Sequence, residues 1–307
     1  MKRLAIPGLC ILALLLPCVC LSAAQDSPAP PVPDAQDAAV QSPASAEPEY
    51  NDEALIPAEP DFTLIGLPTS LRLPKFGSAF RVTHRFFRPL GQGDFDELLG
   101  DAFGLDNGAQ IGLEFRFGII PNGQIGIHRT SDKTIEFFGQ YSVWRQGASM
   151  PFDISALLTV EGTDNFRDHS PTNPRHVSPA AGAIVSRTVG THAAFYVEPI
   201  YVNNTNPLPK EVVDHNDTFI VGLGARLRIR PTVYLTGEMA PRAAGFKPGV
   251  TYGSFAIEKR VGGHMFQLNF SDGFGTTIAQ IARGGPLPSS GHGHDWFLGF
   301  NISRKFF

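Results

Sequence analysis

The stretch that decides the fold is QIGLEFRFGI, residues 110–119. Its apolar residues are Ile111, Leu113, Phe115, Phe117 and Ile119, and they alternate with Gln110, Gly112, Glu114, Arg116 and Gly118. A period of two puts the two sets on opposite faces of a β-strand, whereas a helix would scatter both around its axis. The stretch therefore predicts a strand between an apolar and a polar environment.

The same alternation recurs along the chain. Further strands are predicted at residues 79–87, 124–129, 134–144, 152–161, 180–189, 192–202, 218–229, 232–240, 250–260, 264–271 and 296–307, which makes about twelve. After residue 24 there is no apolar run near the roughly 20 residues that a membrane helix needs, so a membrane would have to be crossed by strands. We predict an all-β fold, a transmembrane antiparallel up-and-down β-barrel with an even number of strands.

The connections follow two length classes. Short ones are predicted at residues 121–123, 145–151, 190–191, 230–231 and 262–263, and four of these five are tight turns with Gly, Pro or Asn. Long ones are predicted at residues 88–108, 162–179, 203–217, 241–249 and 272–295, and only the connection at 130–133 breaks the rule. Short periplasmic turns opposite long outer loops are typical of outer-membrane barrels.

The last predicted strand, WFLGFNISRKFF at residues 296–307, is expected to close the barrel and to carry the signal for the barrel-assembly machinery in Phe306 and Phe307. Phe306 shares the face of Phe300 and Ile302, but Phe307 falls on the opposite face. Either Phe306 is the effective last residue of the signal, or a bulge between Ile302 and Phe306 restores the phase.

The N-terminal part has a different composition. Residues 1–24 are predicted to be a cleaved signal peptide, with Lys2 and Arg3 before an apolar run, and they contain all three cysteines. The exported chain would then have no disulfide or thiolate metal site. Residues 25–66, rich in Pro, Ala and acidic residues, are predicted to be a disordered periplasmic arm, and residues 67–307 the barrel domain.

The net charge of −4 averages two unlike parts. Of 25 basic and 29 acidic residues, two and nine lie in residues 1–61, so the remainder holds 23 basic and 20 acidic residues. This balance is too weak to indicate nucleic-acid binding. The expected surroundings are outer-membrane lipid.

Two segments carry a family resemblance: FGLDNGA at residues 103–109, which leads into the alternating strand, and FNISRKF at residues 300–306. With them the chain resembles an uncharacterised family of bacterial membrane-bound outer-membrane β-barrels, a domain of unknown function, over roughly residues 67–307. The resemblance implies an outer-membrane barrel and brings no catalytic residues.

Charged residues of both signs are predicted to face the lumen. The set comprises Arg81, Arg85, Glu114, Arg116, Glu136, Glu161, Glu198, Arg226, Arg228, Glu238 and Lys259. They form either a ladder of mutually neutralising pairs that narrows or plugs the lumen, or a constriction that orients a small polar solute. Arg226 and Arg228, on one strand, are the best candidates for an anion-attracting patch, because guanidinium groups match carboxylate or phosphate.

Two outer segments are further candidates. His292, His294 and Asp295 have spacings that could reach one divalent metal, with His169 or His176 as a further ligand, or they belong to a mobile loop on which they never converge. Residues 94–99, DFDELL, predict a short amphipathic helix capped by Asp94. This helix either folds into the barrel mouth or packs on its rim.

Enzymatic motifs are scarce. There is no Gly-x-Ser-x-Gly elbow, His-Glu-x-x-His motif or phosphate loop, although His84, His128 and His264 lie on predicted strands. We therefore predict a non-enzymatic barrel without a cofactor, a narrow pore or binding barrel for a small polar or anionic solute. The alternatives are a plugged structural or partner-docking barrel of an envelope complex and, third, a membrane-embedded hydrolase.

Overall fold

A computed structural model describes residues 58–162, 176–206, 216–288 and 293–306. The predicted signal peptide and most of the predicted arm lie outside these residues. Thirteen strands occupy most of the described chain: β1 Ser78–Pro89, β2 Ala109–Ile120, β3 Gly123–Thr130, β4 Ile135–Trp144, β5 Asp153–Gly162, β6 Val177–Val189, β7 Ala193–Val202, β8 Thr218–Arg230, β9 Val233–Ala240, β10 Arg242–Gly245, β11 Tyr252–Val261, β12 His264–Ser271 and β13 Phe297–Phe306. Two short helices, α1 (Phe95–Gly100) and α2 (Ile278–Arg283), and a 3-10 segment (Ala102–Asn107) lie in the connections.

Twelve of the strands form a closed antiparallel barrel. Neighbours in the chain pair with one another, and the ring closes where β1 pairs with β13, with Ser78 opposite Phe306 and Val82 opposite Ile302. The short strand β10 is the thirteenth and pairs with the part of β8 that β9 leaves free. The predicted fold and strand count are confirmed.

Apolar and polar faces alternate as the period of two requires. Outward side chains are apolar and exposed, among them Leu113 (49%), Phe115 (45%) and Leu158 (64%), whereas their polar neighbours in the chain are buried. Such an apolar outer belt suits lipid, which solvates the exposed side chains of a barrel without edges. No helix in the described ranges is long and apolar enough to cross a membrane.

The closing strand keeps its phase. β13 pairs in unbroken register from Ile302 to Phe306, so the bulge alternative is wrong. Phe306 points outward and is 44% exposed, whereas Lys305 is buried. Phe306 is therefore the last outward aromatic among the described residues, and Phe307 lies outside them.

Two elements fill the lumen, one from each end. From the short-turn end, where β1 begins, residues 61–70 enter as a tight hairpin in which Thr69 N donates to Phe62 O (2.9 Å) and Leu64 N to Leu67 O (2.8 Å). We call these residues the luminal hairpin. Residues 58–71 are all buried, so the last nine residues of the predicted arm, 58–66, lie inside the barrel. The polar composition that predicts disorder does not extend into DFTLIGL, residues 61–67, whose apolar side chains are buried in the barrel.

The second element is α2, which folds inward from the long connection between β12 and β13. Thr277 caps it by accepting from Gln280 N, and its residues Ile278 to Ala282 are all buried. They share one apolar cluster with Leu64 and Leu67 of the luminal hairpin and with wall residues such as Ile184, Ile200 and Ile220. The two elements therefore meet in the middle of the barrel.

Candidate functional site

The candidate site is the half of the lumen that the luminal hairpin occupies. Its most concentrated contact is the carboxylate of Glu238 on β9. This carboxylate accepts from three successive main-chain N–H groups, those of Ile65 (3.0 Å), Gly66 (2.6 Å) and Leu67 (3.1 Å). Tyr252 Oη donates to it as well, at 2.8 Å. A buried carboxylate is stable here because all of its hydrogen bonds come from donors fixed by the hairpin turn or the wall.

The hairpin carbonyls point at cationic and amide groups of the wall. Arg226 Nη2 donates to Thr63 O at 2.7 Å, and Gln267 Nε2 donates to Leu64 O at 2.8 Å. Ile65 O accepts from Asn301 Nδ2 at 2.9 Å and from Arg81 Nη1 at 3.3 Å. Wall side chains therefore bind the main chain of residues 63–67 on both its donor and its acceptor side.

Two carboxylates, Asp61 in the luminal hairpin and Glu59 just before it, bind the wall where the chain enters the barrel. Asp61 Oδ2 accepts from Ser303 Oγ at 2.6 Å. Glu59, just before the hairpin, accepts from Ser70 N (3.0 Å), Ser70 Oγ (3.0 Å) and Tyr196 Oη (2.9 Å). Burial raises the pKa of Glu59 to about 7, against the lowering effect of these hydrogen bonds. The carboxyl group of Glu59, next to the hairpin, therefore changes its charge near neutral pH.

The wall charges pair with one another around the hairpin. Glu114 accepts from Arg81 Nε (3.0 Å) and from Arg116, and Glu258 accepts from Arg226 Nε (2.8 Å) and Nη2 (2.9 Å). Arg85 differs: its Nη1 donates to neutral oxygens, Asn301 Oδ1 at 2.8 Å and the main-chain carbonyl of His84 at 3.0 Å. The wall charges are thus largely joined in pairs of opposite sign, and Arg85 has no carboxylate among its hydrogen-bond acceptors.

Glycines on β8 shape the wall for the hairpin. A Cβ atom at Gly224 would lie 2.1 Å from Leu64 Cδ1, and one at Gly222 would lie 3.0 Å from Leu67 Cδ1. Both distances are too short for a carbon contact, so the two glycines form a notch that admits the two leucines. The wall sequence is therefore complementary to the hairpin.

Little free volume remains beside the hairpin. A cavity of about 20 Å³ between Gly66, His128 and Ile278 and a second of about 10 Å³ beside Asp61 and Arg116 are each large enough for about one water. Arg116 Nη1, His128 Nε2 and Thr276 Oγ1 are buried without a protein partner. Ordered water at these cavities would satisfy such groups.

The structure brings together most of the predicted lumen residues. Arg81, Arg85, Glu114, Arg116, Arg226 and Glu238 surround the hairpin. Glu136 and Glu161 lie at α2, where Glu136 accepts from Ile278 N at 3.0 Å and Glu161 accepts from Thr277 and Arg283. Glu198 is fully buried, and neither of its carboxylate oxygens has a hydrogen-bond partner among the described residues.

Two predicted lumen residues lie away from the hairpin. Arg228 has the inward parity of Arg226 but lies partly exposed near the end of β8, where its Nη2 donates to Pro231 O at 3.0 Å, while Arg226 binds Glu258. Lys259 is exposed and donates to Thr232 Oγ1 at 2.8 Å, while its neighbour Glu258 is the inward residue. Phe255 and Ile257 mark the outward face of this strand, and Lys259 shares their parity, so the period of two itself places Glu258 inside.

The predicted metal residues do not converge in the described part of the chain. His294 Nδ1 lies 2.8 Å from Asp272 Oδ2, His176 Nε2 lies 2.6 Å from Asn204 O, and His169 and His292 lie outside the described residues. No group of three His, Cys, Asp or Glu side chains among the described residues could hold a metal ion. Burial raises the pKa of Asp272, against its hydrogen bonds from Gly253 and His294.

Helix α1 forms as predicted, with Asp94 Oδ1 accepting from Glu97 N at 2.9 Å. None of its residues is buried, and Phe95 and Leu99 are exposed, so it lies on the rim. The element in the mouth is α2, which the sequence interpretation missed. Its signal was present in TIAQIAR, residues 277–283: a capping Thr277 before Ile278, Ile281 and Ala282 at helical spacing.

A closed antiparallel barrel with an apolar outer belt and a charged interior is an integral outer-membrane β-barrel. The chain belongs to the family of membrane-bound β-barrel domains (DUF5777), whose family model matches residues 62–306. No curated protein matches the chain significantly.

Solved outer-membrane barrels are similar in fold. The NanC porin shares 7% identity, with 74% of this chain and 99% of that chain covered and a TM-score of 0.46. Outer membrane phospholipase A from Escherichia coli shares 10% identity, with 75% and 90% covered and a TM-score of 0.40. The Salmonella typhi phospholipase dimer shares 9%, with 82% and 97% covered and a TM-score of 0.41. These similarities concern the fold alone.

Proposed function

We propose that this protein is a non-enzymatic binding barrel of the outer membrane, which takes a small polar or anionic solute into the space that the luminal hairpin occupies. The observation that carries the proposal is how the hairpin is held. Charged and amide side chains of the wall bind its main chain through Glu238, Arg226, Gln267 and Asn301. Water or a polar solute can replace such contacts when the hairpin leaves, whereas an apolar lumen would have no comparable partners.

The charge of the site favours an anion. Glu114 and Glu258 are already paired with arginines, and the oxygens that Arg85 Nη1 binds are neutral, with the Glu238 carboxylate as a nearby charge that forms no salt bridge with it. Withdrawal of the hairpin would deprive Arg81 and Arg226 of main-chain carbonyls at 3.3 and 2.7 Å. A carboxylate is the group that replaces a carbonyl oxygen at a guanidinium with a stronger, charge-assisted hydrogen bond.

A binding barrel is favoured over a pore because two elements fill the lumen, the luminal hairpin and α2, and only the hairpin is proposed to leave. With the hairpin withdrawn, α2 would still block the long-loop half through its buried residues Ile278, Ala279, Ile281 and Ala282. The space would then open at the short-turn end alone. This end is the predicted periplasmic side.

A hydrolase is not favoured by the histidines. His84 points outward between the rings of Phe86 and Phe300, with Ile111 opposite it on β2, and its Nδ1 has no hydrogen-bond partner among the described residues. His128 is buried beneath the hairpin, where its Nδ1 lies 3.9 Å from Glu114 Oε2. Glu114 is already bound by two arginines, which leaves it poorly placed to orient a catalytic histidine.

The test compares the intact chain with a variant in which residues 62–69 are replaced by a Gly-Ser linker of the same length. Titration calorimetry in detergent with succinate as the anionic probe and 1,4-diaminobutane as the cationic probe measures binding. We expect the linker variant to bind succinate. Its affinity for diaminobutane, and the affinity of the intact chain for succinate, should each be at least about tenfold weaker. Arg85→Gln should abolish the gain, and Arg228→Gln, at the exposed turn, should leave it unchanged.

Planar bilayers provide the second measurement. The binding-barrel proposal expects no steady conductance from either protein while α2 is in place. Steady, ion-selective openings of the intact chain would show that the protein is a pore and not a binding barrel. Failure of the folded linker variant to bind succinate would overturn the binding-barrel proposal.

A further inference from the structure

The luminal hairpin itself indicates the chemical class of the ligand. Resting on the proposed function, we infer that the site binds a peptide segment and recognises it through its main chain. The hairpin is the occupant that the wall side chains fit in this structure. The groups by which they hold it therefore define what a competing ligand has to present.

The donor side of the site is specific for amides. Glu238 binds three successive N–H groups at 3.0, 2.6 and 3.1 Å, an arrangement that a turn of polypeptide provides without any side chain. A simple anion offers no donor to Glu238, whose protein donor would then be Tyr252, with water in place of the three N–H groups. An anion alone therefore occupies the arginine side of the site and leaves the Glu238 side to water.

The acceptor side is equally regular. The carbonyls of Thr63, Leu64 and Ile65 are bound by Arg226, Gln267 and Asn301 at 2.7, 2.8 and 2.9 Å. The wall thus binds the carbonyls of residues 63–65 and the N–H groups of residues 65–67. Such an unbroken series of acceptors and donors is a property of a polypeptide main chain. A sugar of similar size presents hydroxyl groups, which do not provide this fixed order of acceptors and donors.

Side chains of the hairpin add shape. Leu64 and Leu67 fit the notch at Gly224 and Gly222, where the wall meets them with backbone and no Cβ atom. Such a notch accepts small and medium aliphatic side chains by volume. The site therefore recognises the ligand's backbone strictly and tolerates variation in its side chains. Its ligand is a short peptide turn or a loop of a second protein.

The experiment supplies the hairpin in trans. A fluorescein-labelled peptide with the sequence of residues 61–70, DFTLIGLPTS, is titrated against the folded linker variant, and anisotropy reports binding independently of ion flow. We expect saturable binding, about tenfold or more weaker when the nitrogens corresponding to Ile65, Gly66 and Leu67 are methylated, since each lost hydrogen bond contributes to affinity. Replacement of both leucines by valine in the peptide should change the affinity only a few fold.

Matched barrel variants locate the contact. Glu238→Gln in the linker variant should weaken peptide binding about tenfold or more, because an uncharged amide replaces the carboxylate that accepts the three N–H groups. Glu97→Gln, which removes a carboxylate from the exposed rim helix α1, should leave it unchanged. Equal binding of the methylated and unmethylated peptides would overturn main-chain recognition.

The outcomes separate the inference from the proposed function. Succinate binding without peptide binding overturns the inference and leaves the anion-binding barrel, whereas binding of neither overturns both. If the linker variant fails to fold, excess unlabelled peptide is added to the intact chain, and amide exchange is measured at Ile65, Gly66 and Leu67 of the protein. Competition should accelerate this exchange, and unchanged rates would overturn the inference.

Discussion

The luminal hairpin and α2 fill the same barrel by different means. The hairpin contributes six main-chain groups of residues 63–67, and the wall binds them with Glu238, Arg226 and Asn301 among others. Helix α2 presents one main-chain group to a wall carboxylate, Ile278 N to Glu136, and otherwise buries apolar side chains such as Ile278 and Ile281. The difference teaches that one lumen can hold an element by exchangeable polar contacts at one end and by less exchangeable apolar packing at the other.

The largest effect is expected where the hairpin contact is most concentrated. Glu238→Ala leaves the N–H groups of Ile65, Gly66 and Leu67 and the hydroxyl of Tyr252 buried without an acceptor, at about 1–3 kcal/mol for each group. We expect the hairpin to leave its site, with amide exchange at residues 65–67 faster by at least about a hundredfold.

Its matched comparison is Glu198→Gln, which neutralises an equally buried carboxylate that has no hydrogen-bond partner among the described residues and keeps its volume beside Gly222. This change should alter hairpin exchange at most a few fold, because Glu198 acts on Glu238 through its charge and on no N–H group of the hairpin. Similar acceleration by both variants would mean that wall charge in general, and not the Glu238 contact, holds the hairpin.

The corresponding change in α2 should act by packing. Ile281→Ala removes apolar volume from a fully buried position and should destabilise the docked helix by about 2–4 kcal/mol. Amide exchange at residues 278–283 reports it. Because Ile281 also faces Gly66, the hairpin tip should loosen slightly, and a larger effect on the hairpin than on α2 would contradict the division of roles.

A smaller effect is expected from pH. The pKa of Glu59 is about 7 in the docked hairpin, above its ordinary value of 4.5, so the docked state binds the proton more tightly. Docking is therefore fully supported below about pH 4.5 and weakens as pH rises to about 7, by about 2 kcal/mol between pH 5.5 and 7.5. Nearby charges modulate this titration: Asp153 raises the pKa, Arg226 lowers it, and Arg72 pairs with Asp153 at 2.9 Å.

Hydrogen exchange of Ser70 N, which donates to Glu59, should accordingly quicken across this pH range beyond the intrinsic change in exchange rate. Glu59→Gln should remove the additional pH dependence. A Gln variant with the wild-type pH profile would assign the effect to another group.

The smallest effect tests the glycine notch. Gly224→Ala places a methyl group 2.1 Å from Leu64 Cδ1 and should weaken hairpin docking by about 1 kcal/mol, because the flexible leucine end can move. Gly139→Ala on β4, where a Cβ would meet nothing within 4 Å, is the control. Equal rates of amide exchange in the hairpin of the two variants would show that the notch does not contribute to hairpin docking.

Sequence patterns predicted the barrel well because its strands obey one simple rule. Alternation places Glu114 and Arg116 inside and Leu113 and Phe115 outside with no knowledge of neighbours. The rule also holds in β11, where Phe255, Ile257 and Lys259 share the outward face, so the prediction of an inward Lys259 contradicts the rule and Glu258 is the inward residue.

The filling of the lumen was harder to predict, because it depends on contacts remote in the chain. Glu238 binds Gly66 from 172 residues away, and no local period encodes such a pair. The inward charges were predicted as a lining set, yet their partner is the main chain of a segment that composition had assigned to the arm. Helix α2 had a local signal and could have been found from it.

The carbonyl of Ile65 has a consequence for how the ring is held shut. It accepts from Arg81 on the first strand and from Asn301 on the last strand, the two strands whose pairing closes the cylinder. One oxygen atom thus fastens both sides of the seam, and it can do so only after the last strand has arrived. The hairpin therefore stabilises the closed seam, and a barrel without it should open most easily between its first and last strands.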